Sequence, residues 1–168
     1  MKREDTVDYN IKSAWHSISR MYNQYGQQFD VTASTGFVLL NIDAEAGTPA
    51  TKIAPMMGME SRSLTRMLKT MEEKKWIRRE KDPEDGRSVR IILTELGKQK
   101  RDISRFSVKE FNKKIAQKVS ESDMNTFFNV IKQINEISEN REVITEAIEK
   151  MDALLNEEST IKSNNITL

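Results

Sequence analysis

The stretch Asp82-Pro83-Glu84-Asp85-Gly86-Arg87-Ser88-Val89-Arg90-Ile91-Ile92-Leu93-Thr94 constrains the fold more than any other part of the chain. Its Pro-Glu-Asp-Gly tip is a turn signal, because proline presets φ and glycine accepts φ > 0. Ile77 before it and Val89, Ile91 and Leu93 after it are strand formers, so the segment predicts a β-hairpin. Just upstream, Leu64, Met67, Leu68 and Met71 recur at i, i+3, i+4 and i+7. That spacing predicts a helix over about 61–74 with those four residues on one face. Arg62, Arg66 and Lys69 then point the opposite way, with Ser61, Ser63 and Thr65 on the flanks near the N-terminal end.

Thr48-Pro49 reads as an N-cap followed by proline at the first position of a short helix that reaches Met57, where Gly58 makes a turn. Two helices joined by a short turn holding Gly58 form a helix-turn-helix, and the hairpin behind it supplies a wing. Towards the N-terminus, Ile11, Trp15, Ile18, Tyr22, Tyr25 and Phe29 lie at spacings of four and three, predicting a helix over about 5–28. Thr32 offers an N-cap for a helix that contains Phe37 to Ile42 and ends near Gly47. Past the hairpin, Thr94-Glu95-Leu96-Gly97 opens a helix to about Val119, and Ser120 starts another. From Phe127, positions 130, 134, 137, 141, 144, 148, 151 and 155 keep the same spacing, all apolar except Arg141. One long helix, or two with a break near 140, would both produce it.

The expected fold is mainly α, a winged helix-turn-helix with a two-stranded β-wing and long N- and C-terminal dimerisation helices. A winged helix of some 60–70 residues cannot cover both apolar seams, which argues for a twofold dimer through residues 5–28 and roughly 100–155. The expected organisation is a dimerisation helix over 1–30, the winged unit over 31–98, dimerisation helices over 99–155 and a disordered polar tail over 156–168.

The 168 residues carry a net charge of +1, which conceals a strong asymmetry. Residues 60–118 hold 18 basic and 10 acidic side chains, whereas 119–168 hold 4 and 10. Positive charge is thus concentrated at the helix and hairpin, where screening lets a local patch outweigh the total. There is no cysteine, which excludes disulfides, cysteine-ligated zinc and thiol switching. His16 is the lone histidine, no carboxylate spacing suggests a metal, and the six glycines form no phosphate loop. An enzyme is therefore not expected, nor a cofactor or a metal. No apolar run approaches a membrane span, and the first residues lack a signal peptide's apolar stretch, so a cytoplasmic protein is expected.

With these pieces assembled, residues 30–105 resemble a MarR-type regulator (multiple antibiotic resistance regulator family). The resemblance rests on Ile53-Ala54 to Gly58, Ser63 to Leu68, Met71 to Lys74, Trp76 to Arg79, Asp82 to Arg87 and Leu93 to Gly97, in that order. Two residues depart from the pattern. Lys75 stands where the family usually has glycine, which requires a left-handed non-glycine residue or a different helix end. Pro55 falls inside the first helix of the pair, where it costs little only if that helix starts late.

The resemblance implies a transcription regulator, a repressor in the usual case, acting as a homodimer on a pseudo-palindromic site in double-stranded DNA. A basic helix face alone is most simply solvated. Following a helix-turn-helix and preceding a wing, Ser61, Arg62, Ser63, Thr65, Arg66 and Lys69 become candidate DNA contacts. Arg87 at the wing tip suits a minor groove, and Arg90 is a further DNA candidate, with Arg78, Arg79 and Lys81 left between phosphate clamp and surface charge. Asp85 is assigned to holding the wing. The resemblance also implies release by a small aromatic or acidic ligand between the dimerisation and DNA-binding parts, with Trp15, His16, Tyr22, Phe37 and Phe106 as candidate lining. The competing reading is a winged helix used for protein contact on a helical dimer, with no DNA role.

Overall fold

The computed structural model describes residues 2–83 and 85–164, and side chains as far as residue 156. In chain order the elements are α1 (Val7–Gly26), α2 (Ala33–Leu40), β1 (Thr48–Pro49), α3 (Ala50–Met56), α4 (Ser61–Glu73), β2 (Ile77–Lys81), β3 (Val89–Leu93), α5 (Glu95–Ala116), α6 (Glu121–Glu139) and α7 (Arg141–Asn164). Two compact units divide between Lys114 and Ile115.

In the first unit α2, α3 and α4 pack on a small antiparallel sheet in the order β1-β3-β2. The β2–β3 hairpin is the expected two-stranded wing, and a third strand joins it at the β3 edge. The extra strand is Thr48–Pro49, with Thr48 opposite Ile91 and Pro49 opposite Arg90. Two residues are too few to show alternation, and proline is tolerated there because an edge strand need not donate on both sides. Pro49 is consequently the extended residue before α3, and Ala50, one residue later than expected, is the first helical position.

Helix α2 also stops earlier than expected, at Leu40 instead of near Gly47. The Asn41 side chain donates back to the Phe37 carbonyl at 2.9 Å. Asp43 Oδ1 then accepts the amides of Glu45 and Ala46 at 2.9 and 2.7 Å, closing a compact turn that competes with helix. Those bonds, the Ala46 amide foremost, hold the Asp43 carboxyl below its usual range. At its start α2 is capped as the sequence predicts, with Thr32 Oγ1 accepting the Thr35 amide and Thr35 reciprocating.

The core holds Val38, Leu39, Ile42, Ile53, Met71 and Ile91, all fully buried. Burying such side chains contributes roughly 1.5–3 kcal/mol each. Leu64 and Leu68 join them and Met67 packs against the cluster, as the α4 periodicity predicts.

Both helices of the helix-turn-helix end in the same way. After α3, Met59 N–H donates to Ala54 O at 3.1 Å and Gly58 N–H to Pro55 O at 3.2 Å, with Gly58 at φ 58°. After α4, Trp76 N–H donates to Met71 O and Lys75 N–H to Glu72 O, both at 2.9 Å, with Lys75 at φ 59°. These are paired Schellman closures, one built on glycine and one on lysine. A left-handed lysine carries a steric cost that glycine does not. Lys75→Gly should therefore raise the unfolding free energy by about 1 kcal/mol in a urea titration; an unchanged midpoint would contradict this account of the turn.

Pro55 sits at the penultimate position of α3, so a late start does not accommodate it. Its missing N–H leaves the Thr51 carbonyl without a helical donor, but Thr51 is exposed and the helix ends one residue later.

The second unit consists of the end of α5, α6 and α7. The Ser120 side chain caps α6 by accepting the Asp123 amide at 3.1 Å. Asn140 leaves the helical region with ψ 113°, and its side chain accepts the Glu142 amide at 2.9 Å, so the shared seam is carried by two helices. Phe127, Phe128, Ile137, Ile144, Ile148, Met151 and Leu155 are all exposed, and no described residue of this unit is buried. Helix α7 runs on to Asn164 through most of the stretch expected to be a disordered tail; no glycine or proline follows Gly97 to stop it. The last four positions of that tail lie outside the described residues.

Candidate nucleic-acid interface

Helix α4 is positioned by its buried face and fastened at its C-terminal end. Its C-terminal closure passes directly into Trp76, which is 2% exposed, and then into β2. Thr94 ties this junction to α5: its amide and hydroxyl reach the Trp76 carbonyl at 3.0 and 3.1 Å, and its hydroxyl lies 2.6 Å from the Lys75 carbonyl. Thr94 Oγ1 also accepts the Gly97 amide at 3.0 Å, opening α5. The Leu-Thr-x-x-Gly motif thus locks β3, the end of α4 and α5 together.

With Leu64, Leu68 and Met71 facing inward, Ser61, Arg62, Ser63, Thr65, Arg66 and Lys69 are all exposed on α4. Among the described residues neither Arg62 nor Arg66 forms an ion pair, while Lys69 approaches Glu73 at 3.9 Å. Thr65 donates its hydroxyl to the Ser61 carbonyl at 2.8 Å. The result is a surface of two exposed guanidinium groups among short hydroxyl side chains.

The wing divides its charges between structure and surface. Arg87 is exposed at the tip, and its amide donates to Asp85 Oδ1 at 3.0 Å. Asp85 thereby holds the turn, assisted by the Ser88 amide donating to its carbonyl at 2.8 Å. Arg90 is turned inward: its Nη2 and Nε lie 3.0 and 3.1 Å from Asp82 Oδ2, and Nη1 donates to the Ala46 and Gly47 carbonyls at 3.3 and 3.4 Å. With 16% of its side chain exposed, Arg90 braces the wing against the loop before β1 and is not displayed for DNA. Asp82, 5% exposed, is the residue that sequence reasoning missed. Arg78 pairs with Glu80 at 2.6 Å, and Arg79 reaches back to Glu72 on α4 at 2.9 Å.

The candidate ligand residues do not converge on one cavity. Tyr22 and Phe37 line a cavity of about 30 Å³ between α1, α2 and α5, their rings 6.2 Å apart edge to face. Partial burial pushes the Tyr22 phenol up, which keeps it neutral. The Trp15 ring lies tilted against Phe37 at 5.4 Å but opens on a different cleft beside Met57, and His16 lies in a third. Phe106 is 54% exposed. Phe111 faces inward instead, 5.8 Å from the Tyr22 ring. The phase of α5 is set by the buried small residues Gly97 and Ser104, which an apolar count overlooks.

Comparison with known proteins places this geometry. Residues 31–89 match the MarR family. Over 96 residues the chain is 32% identical to the HTH-type transcriptional regulator SarZ of Staphylococcus aureus, covering 56% of this chain and 65% of the relative. The chain therefore spans just under two thirds of the length of the curated relatives it matches. Among solved structures, the S. aureus MepR–DNA complex superposes with a TM-score of 0.71 at 22% identity, covering 78% of this chain and 97% of that one. CouR from Rhodococcus jostii bound to p-coumaroyl-CoA superposes at 0.70 with 19% identity, covering 80% and 94%. At these identities the likeness establishes the winged-helix fold alone. Among the described residues no helix is long and apolar enough to cross a membrane, and no cluster of side chains could hold a metal ion.

Proposed function

We propose that this chain is a transcription regulator that binds double-stranded DNA as a homodimer, presenting two α4 helices to successive major grooves of a pseudo-palindromic site. The observation that carries the reading is the exposed Arg62 and Arg66 on α4, which form no ion pair among the described residues and are set among Ser61, Ser63 and Thr65. Lys69 extends that surface and Arg87 reaches out from the wing. Arginine can read guanine bidentately, hydroxyl side chains reach phosphates or base edges, and a wing-tip arginine suits a narrow minor groove. The MepR complex with DNA and the regulators in the MarR family support the same role. Repression follows if the site overlaps a promoter.

A homodimer is supported by apolar side chains left outside: Val7, Ile11 and Trp15 on α1, and the exposed series in α6 and α7. A small aromatic or acidic effector would act at Tyr22 and Phe37. Their cavity of about 30 Å³ has room for about one water, so entry requires α1, α2 and α5 to move apart. A ligand bound only in that opened state would shift the population away from the DNA-competent one. CouR, with its bound aromatic thioester, supports a site for such a compound.

The test of the α4 assignment is substitution of the two arginines. Arg62→Ala and Arg66→Ala should each weaken binding to a cognate duplex by about 1–3 kcal/mol if they read bases, with specificity relaxed at the contacted position. Fluorescence anisotropy against cognate and scrambled duplexes measures both. Full affinity and specificity in the two variants would remove α4 as the recognition helix and favour the protein-interaction reading.

A further inference from the structure

The loop after α1 is tied to the far end of α4 by a second set of charges, which the DNA-facing surface does not use. Asp30 Oδ2 lies 2.6 Å from Lys74 Nζ, and Lys74 is the residue that closes α4. One residue earlier, the Phe29 carbonyl accepts from Lys100 Nζ of α5 at 2.6 Å. Both ammonium groups sit over the ring of buried Trp76, at 5.1 and 5.6 Å from its centroid. Three elements therefore meet at one point: the end of α1, the end of the recognition helix and the start of α5.

Asp30 also occupies the left-handed region, with φ 57°. Glycine or asparagine would serve that backbone equally well or better. The carboxylate must therefore be explained by what it touches, and it touches Lys74. Hydrogen bonding from Lys74, with added attraction from Lys74 and Lys100, holds the Asp30 carboxyl below its usual range. A cation at the C-cap of α4 is favoured by the helix dipole as well.

We infer that Asp30 and Lys74 are positioning residues for DNA binding, fixing the orientation of α4 relative to α1 so that the shape of the dimer sets the placement of the recognition helices. This rests on the DNA-binding reading above. An exposed ion pair adds little to global stability, so its value here lies in geometry. A structural and a positioning role predict different outcomes for Asp30→Gly, which relieves the backbone and removes the carboxylate together.

The experiment uses the full chain and a duplex enriched from a random pool by the wild-type protein. Asp30→Gly and Asp30→Asn should keep or raise the melting temperature yet weaken duplex binding about three- to ten-fold. Lys74→Gln should weaken it similarly, Lys74→Arg should retain affinity, and Asp30→Asn with Lys74→Gln should be no worse than either alone. If Lys74 were instead a phosphate contact, Asp30→Asn would leave binding unchanged or tighten it, and Lys74→Gln would lower the salt slope by about one. Either result overturns the inference. Amide exchange gives a readout without DNA: the Lys74, Lys75 and Trp76 amides should exchange about three- to ten-fold faster in Asp30→Asn. Unchanged exchange overturns the inference even where DNA binds. Faster exchange in a chain whose wild type enriches no duplex overturns the DNA reading and leaves the tie on α4 standing.

Discussion

Gly97→Ala is expected to destabilise the chain by about 3 kcal/mol or more, read as a lower urea midpoint with unchanged slope. A Cβ built on Gly97 would lie 1.9 Å from the Trp76 carbonyl oxygen and 2.9 Å from its carbon. Both are backbone atoms, so no side chain can swing away. The carbonyl is also fixed by the Thr94 amide and hydroxyl, and relief must come from lifting α5 off the end of α4. Gly58→Ala is the contrasting case. Its Cβ would meet nothing within 4 Å, and only φ 58° opposes it, so a loss of about 1 kcal/mol is expected. Equal losses in the two variants would show that close approach at Gly97 is not what the motif requires.

Asp82→Ala is the second large effect, again about 3 kcal/mol. The Asp82 side chain is 3% exposed and engages Arg90 through two nitrogens. It also accepts the Asp85 amide at 3.3 Å, while its own amide donates to Ser88 O at 3.0 Å. Removing one partner of a buried pair strands the other charge, which typically costs about 3–5 kcal/mol. The 16% of Arg90 that reaches solvent places the expected loss at the low end. Asp82→Asn keeps an oxygen for the turn and should lose less. The wing should loosen first, so amide exchange across β2 and β3 should accelerate before the core does. A variant as stable as the parent, with an unaltered wing, would contradict the bracing role given to Arg90.

What the sequence disclosed and what it withheld follow from the range of the forces concerned. The buried face of α4 was legible because Leu64, Leu68 and Met71 repeat at helical spacing in one continuous segment. The glycine at the α3–α4 turn and the cap at Thr32 were legible because each is a local conformational requirement. Strand β1 was not, since its pairing with β3 is a contact across some forty residues made by only two of them. The inward turn of Asp82 was hidden for a related reason: Asp82 and Asp85 read alike in an acidic tip, and only the loop carbonyls of Ala46 and Gly47 decide where Arg90 goes. Phe106 is exposed because the buried face of α5 is set by Gly97 and Ser104, small residues that carry no hydrophobic signal in the sequence.

The central claim is that two copies of α4 read a two-fold symmetric duplex, and selection from a random duplex pool tests it most directly. The full chain, immobilised and challenged with random-sequence duplexes at moderate salt, should enrich a pseudo-palindrome whose half-sites are centred about one helical turn apart. The enriched duplex should bind two chains, and its affinity should fall steeply with added salt. Failure to enrich any sequence, or enrichment of a site with no two-fold symmetry bound by a single chain, would contradict the account.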